Sequence, residues 1–181
     1  MKKLLIGFAA GMALFSVLGF TQGGGLMFNE TASPFGLNET VARIQRNVLE
    51  TKGWPLVGLR SPSNSIRSEG AFVPNVVLVE TCNTEYSKPI LKEDATRILS
   101  ILMPCKISVY EKSDGKVYIG TMNAGMLGWM FGPTVGKTMM KVAADQKRFL
   151  KFDPSRSTPK IVLPKNSKKG KGGGGGGIGG C

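Results

Sequence analysis

The stretch from Met103 to Met122, MPCKISVYEKSDGKVYIGTM, constrains this chain more than any other, because local chemistry alone reads it as a β-hairpin. Along its first arm Cys105, Ile107 and Val109 alternate with Lys106, Ser108 and Tyr110. Along the second, Val117, Ile119 and Thr121 alternate with Tyr118 and Met122. A period of two sends successive side chains to opposite faces of a strand. Between the arms, Ser113-Asp114-Gly115 offers the positive-φ tolerance that a tight reversal needs. A hairpin cannot bury its apolar face alone, so the flanking segments must supply partner strands and a covering layer.

The flanking segments read accordingly. Asn38 is placed to cap a helix through ETVARIQRNVLETKGW, with Val41, Ile44, Val48 and Leu49 on one face and Gly53 at its C-terminal end. Trp54 to Arg60 reads as a strand, SPSNSIRSEG as a turn-rich loop, and Val76 to Cys82 as a central strand rich in β-branched residues. Asn83-Thr84-Glu85-Tyr86 breaks that pattern. Between Leu91 and Met103 the signal is mixed: Asp94 could cap a short helix through ATRILSIL, ended by Pro104. NAGMLGWMFGP reads as a loop whose Met and aromatic residues fill a core or cover a sheet edge, with ligand lining as the sharper alternative. From Thr134, a stripe of Val135, Met139, Val142, Ala143, Phe149 and Leu150 predicts a final amphipathic helix on the same sheet face as the first. The expected fold class is α+β: a single domain over residues 38–153, an antiparallel sheet with two main helices packed on one face. Residues 154–181, basic and Gly-rich, are expected to form a disordered tail.

The chain's 181 residues suffice for one ordinary core. Lys2-Lys3 followed by the apolar run LLIGFAAGMALFSVLGF has the layout of a signal peptide over residues 1–20. As a helix the run would be about 26 Å long, short of a roughly 30 Å hydrocarbon core, which favours cleavage. The alternative is an inner-membrane anchor formed by residues 4–20. Residues 21–37 read as a linker, and the expected location is periplasmic or extracellular. Asn29-Glu30-Thr31 and Asn38-Glu39-Thr40 match the glycosylation sequon, a short and nonspecific signal.

The formal charge of +12 sits mostly at the ends. Lys2, Lys3, Lys160, Lys165, Lys168, Lys169 and Lys171 are seven of twenty-four basic residues, which leaves seventeen against twelve acids. The small excess in the middle weakens a nucleic-acid reading, and a tail that is solvated or faces a phospholipid surface is the better one. The chain contains no His. That removes the commonest general base, His-ligated haem and most zinc sites, and it argues against an enzyme.

From Asn38 to Leu150 the chain resembles the family catalogued as domain of unknown function 302. The resemblance rests on Lys52-Gly53-Trp54, on Glu80-Thr81-Cys82-Asn83, on Leu102-Met103-Pro104-Cys105-Lys106-Ile107-Ser108-Val109-Tyr110 and on Asp114-Gly115-Lys116-Val117. It implies a compact α+β domain with helices on one side of an antiparallel sheet, often associating as a homodimer. It carries no activity. The Cys82 and Cys105 positions look like those of an exported subgroup, whereas the Gly-rich tail departs from the family's pattern.

Three thiols remain. Cys82 ends one strand and Cys105 begins another, so in an oxidising compartment a structural disulfide would close a loop of about twenty-two residues, worth on the order of 3 kcal/mol. The sharper alternatives are a dithiol that cycles, with an ammonium nearby favouring the thiolate, and soft-metal binding. Cu(I) is the metal those donors suit, with Met103, Met122 or Met126 as thioether ligands beside Cys82 and Cys105. Cys181 ends the chain on Gly-Gly-Ile-Gly-Gly. It resembles the arm of periplasmic thiosulfate-oxidation carrier proteins, whose Cys lies within Gly-Gly-Cys-Gly-Gly, though here no Gly-Gly follows. A solubilising tail and an inter-chain disulfide are the competing readings for it.

The expectation is thus an exported, non-enzymatic binding or carrier protein that uses thiols: the pair Cys82 and Cys105, and Cys181 as a carrier thiol on a mobile arm. Its partner would be a periplasmic redox or sulfur-handling protein. The alternatives are a redox enzyme or accessory factor cycling Cys82 and Cys105, and a structural envelope protein.

Overall fold

Period-two alternation in the strands produces a sheet whose two faces meet different surroundings. The computed structural model describes residues 25–163. In chain order they form β1 (Phe28–Ala32), α1 (Leu37–Glu50), β2 (Leu56–Arg60), α2 (Pro62–Ser68), β3 (Val76–Thr81), α3 (Thr84–Lys92), α4 (Asp94–Arg97), a 3-10 turn (Ile98–Leu102), β4 (Cys105–Glu111), β5 (Val117–Met122), α5 (Ala124–Trp129) and α6 (Pro133–Phe149). The five strands make one antiparallel sheet in the order β1-β5-β4-β3-β2.

Register decides what each face carries. Val77, Val79 and Thr81 lie opposite Val109, Ile107 and Cys105, and the last two strands pair Val109 with Ile119 and Ile107 with Thr121. These residues face α1 and α6, which pack against each other. Val41, Ile44, Val48, Val79, Ile107, Val109, Ile119, Val142 and Phe149 are buried there as one cluster. Each such side chain contributes about 1.5–3 kcal/mol when removed from water. The two main helices on one face are as the periodicity predicts, except that Leu49 is half exposed and Gln45 is buried in its stead.

The other face is polar. The Tyr110 hydroxyl donates to Glu30, and Lys112 Nζ reaches Glu30 Oε2 at 2.7 Å. Tyr110 and Tyr118 stack at 6.3 Å, with the Lys112 ammonium 4.1 Å from the Tyr118 ring centre. This network ties the edge strand β1 to the hairpin. The Lys112 and Tyr110 hydrogen bonds hold the Glu30 carboxyl below its ordinary pKa, while burial and Glu30 push Tyr110 up.

Several boundaries differ from the sequence reading. The stretch 21–37, expected as a linker, contains β1, because an edge strand wetted on one face needs no apolar alternation. The cap of α1 is Gly36 rather than Asn38; the Thr40 hydroxyl donates to the Gly36 carbonyl at 2.9 Å. SPSNSIRSEG is not all loop: Pro62 opens a seven-residue helix, a position where its missing N–H costs nothing. Asn83 does not simply end a strand, since its Oδ1 accepts from the Glu85 and Tyr86 amides and starts α3. Asn123 caps α5 in the same manner, where a loop was expected.

Order also persists past residue 153. Residues 154–163 run back along α1 as a strap. Arg43 donates to the carbonyls of Asp153 and Arg156 at 2.9 and 3.1 Å. The Gln45 side-chain amide bonds both the carbonyl and the N–H of Val162, at 2.8 and 2.9 Å, much as a neighbouring strand would. The predicted signal or anchor (1–20) and the tail from 164 onward, with Cys181, lie outside the described residues. Among the described residues no helix is long and apolar enough to cross a membrane.

Candidate functional site

Where β3 and β5 finish and β4 begins, the covering layer changes. The core gives way to a small cavity of about 50 Å³ enclosed by α3, the 3-10 turn, α5 and α6. Chain direction brings distant residues here: Cys82 follows β3, Met103 and Cys105 flank the start of β4, and Met122 closes β5. Four of the sequence-predicted site residues therefore line one space. Met126 does not join them; it lines a larger open hollow of about 1380 Å³ between β1 and α6, beside Phe28 and Met140.

The thiols behave differently from the sequence expectation. Cys105 is a free thiol, so it is not bridged to Cys82 in this structure. The register sets Cys105 opposite Thr81, and Cys82 lies one step further along. Cys82 is buried and engaged elsewhere; its Sγ also lies 3.5 Å from Ser87 Oγ. Burial pushes the Cys105 thiol above its ordinary pKa, and the charge of Lys106 offsets this only in part. Alternation explains why: Lys106 points to the open face, where it is exposed and its Nζ donates to Pro104 O at 3.3 Å. Neutral thiols are poor nucleophiles, so the environment disfavours thiolate chemistry at Cys105. Among the described residues no group of three or more His, Cys, Asp or Glu is placed to hold a metal ion.

Behind the Trp54 and Tyr86 wall of the cavity lies a buried polar network centred on Asp145. Asp145, 4 % exposed, accepts from Trp54 Nε1 at 2.9 Å and from the Tyr86 hydroxyl at 3.1 Å through Oδ2. Its Oδ1 takes Arg148 at 2.6 Å. Trp54 meets Tyr86 and Phe149 edge to face, at 5.8 and 5.2 Å. Burial and the Asp145 hydrogen bond raise the Tyr86 pKa, so that phenol stays neutral and donates. Gly53 turns the chain into this wall at φ +83°, and a Cβ there would sit 2.9 Å from Asn83 Nδ2. The signal for Asp145 lay in the last helix: three residues after Val142 and four before Phe149, an acid sits on the apolar stripe and must have partners.

The remaining walls are hydrocarbon. Ile90, Leu99 and Val135 form a buried cluster here, packed by Met103 and Met139. Leu102 and Phe131 both line the cavity and also reach solvent, at 37 % and 44 % exposure. They mark its mouth. The arrangement can hold a small apolar or polarizable group against thiol and thioether sulfur, with Tyr86, Asn83 and Ser87 as the polar lining.

Comparison with known proteins bears on the fold. A search of curated proteins finds no match. The crystal structure of an uncharacterized conserved protein DUF302 from Bacillus stearothermophilus superposes with a TM-score of 0.60 at 23% identity, covering 68% of this chain and 95% of that one. The family model described as domain of unknown function DUF302 matches residues 29–151, a span that begins inside β1 and includes the other four strands and every residue lining the cavity. The chain therefore belongs to the DUF302 family.

Proposed function

We propose that this protein is a non-enzymatic binding or carrier protein that takes a small, largely apolar ligand in the cavity at the end of the sheet. The observation behind this reading is the convergence of Met103, Cys105 and Met122 with Leu99, Val135 and Met139 around one enclosed space. An apolar ligand would gain by leaving water, and the sulfurs would present soft, polarizable walls. The raised pKa of Cys105 favours binding over thiol cycling, which needs a thiolate. Export, and service to a sulfur-handling partner, belong to the same proposal and rest on the N-terminal and C-terminal sequence.

Xenon, an apolar and polarizable probe small enough for this cavity, titrated into the full chain and followed by NMR, tests it. Saturable binding is expected, with Val135→Phe, which fills the cavity, weakening it at least about tenfold. Binding unchanged by Val135→Phe would overturn the assignment to this cavity.

A second reading follows from the same sulfurs. Cys105, Met103 and Met122 offer a soft donor set for Cu(I) in a dry site. Anaerobic competition with a chromogenic Cu(I) chelator decides it: affinity lost in Cys105→Ser supports copper, and affinity unchanged removes it.

A further inference from the structure

Apolar residues that reach solvent are not scattered evenly over this domain. The 3-10 turn presents Ile98 and Ile101 at 75 % and 79 % exposure, next to Leu102 at the cavity mouth. The end of α5 presents Trp129 and Met130, exposed at 55 % and 69 %, next to Phe131, which lines the same cavity. Two elements far apart in sequence thus each set exposed apolar side chains beside a residue that lines the cavity, forming its apolar rim. Trp129 is held in place: its indole lies over Gly136, where an added Cβ would come within 2.6 Å of Cε3. The rim's shape is set by packing and not by a loose loop.

Charge beside the rim has one sign on the α5–α6 side. From Asn123 to Ala144 the chain carries Lys137 and Lys141 and no acid, and both lysines are exposed. The opposite side is balanced, with Lys88 paired to Glu85 and Arg97 to Asp94. An apolar ring containing Trp and Phe, flanked by lysines, matches the boundary of an anionic bilayer: rings at headgroup level and ammonium groups against phosphate. Because Leu102 and Phe131 belong to this surface and also line the apolar cavity, a ligand would have a path from lipid to protein without crossing water.

We propose that the rim formed by Ile98, Ile101, Leu102, Trp129, Met130 and Phe131 docks on an anionic phospholipid surface, with Lys137 and Lys141 as electrostatic contacts, and that the cavity exchanges its ligand with that bilayer. The exchange rests on the apolar-ligand reading above; the docking does not.

Trp129 itself reports the answer. The full chain is mixed with phosphatidylglycerol–phosphatidylcholine vesicles carrying brominated acyl chains, which quench only an indole inside the bilayer. Trp54 is 3 % exposed and stays as background. Quenching is expected in the wild type and its loss in Trp129→Phe. Lys137→Glu with Lys141→Glu should lower apparent vesicle affinity about tenfold or more, and about 1 M salt should do likewise. If the chain sediments with vesicles while Trp129 stays unquenched, another segment makes the contact and the rim proposal is overturned. The xenon probe, titrated without vesicles, separates the two readings. Quenching without probe binding supports docking and removes the ligand exchange; probe binding without quenching leaves the cavity reading and removes the docking.

Discussion

The middle of the sheet and its end are covered by different means. Over the middle, α1 and α6 press Val41, Ile44, Val142 and Phe149 onto Val79, Ile107 and Val109, and the space is filled. At the end, α3, the 3-10 turn and α5 roof a cavity whose rim still exposes Ile101, Trp129 and Met130. The first region buries apolar surface to hold the fold. The second stops short of full burial, which costs stability and leaves a void.

Substitution can break this contrast. Ile107→Ala in the packed middle should cost about 2–5 kcal/mol in chemical denaturation. Leu99→Ala at the cavity should cost less, about 1–2 kcal/mol, because side chains beside a void have fewer contacts to lose. Equal costs would mean that the two regions are packed alike. Asp145→Ala sits on the border between them and should cost about 2–3 kcal/mol, since it strands the Trp54 N–H and the Tyr86 hydroxyl. Near-UV circular dichroism of the Trp54 band should weaken with it.

Smaller effects sharpen the picture on the open face. Glu30→Gln should cost about 1 kcal/mol by weakening the tie to Lys112. Because the folded Glu30 carboxyl lies below its unfolded value of 4.5, its contribution is present above that pH and lost as pH falls through the folded value. Acid denaturation profiles of the wild type and Glu30→Gln should therefore converge at low pH. The Cys105 thiol has the opposite sign. Its folded pKa is raised above 9.0, so its contribution is full below that pH and is lost as pH rises through the folded value. Alkylation of Cys105 at pH 8 should be slower than that of a free thiol tripeptide, and unfolding in urea should abolish the difference.

How much of this was legible follows from the range of the signals. The hairpin and α6 were readable because their evidence is local: period-two alternation in one case, a 3.6-residue stripe in the other. β1 was missed because FNETA has no apolar alternation, and its partners in the ladder and around Glu30 lie about eighty to ninety positions away. α3 and α5 were missed since each is short and depends on an Asn side chain as its cap. The strap over residues 154–163 has the Ser, Pro and Lys of a tail, and its order comes from Arg43 and Gln45 on another element. For the site, cysteine and methionine content singled out Cys82, Met103, Cys105 and Met122, but nothing local joined them to Trp54, Tyr86 and Asp145.

Sequence alone determined the alternation, hence which residues of each strand share a face, and so the α+β class with helices on one side. It did so because side-chain direction along a strand or helix is a property of the backbone repeat. Tertiary structure decided the rest: that Cys105 faces Thr81 and not Cys82, that Lys106 turns away from the thiol, and that Leu102 and Phe131 line one cavity. Those outcomes depend on register and on how helices distant in sequence pack at the sheet's end, and neither is written in any short stretch of chain.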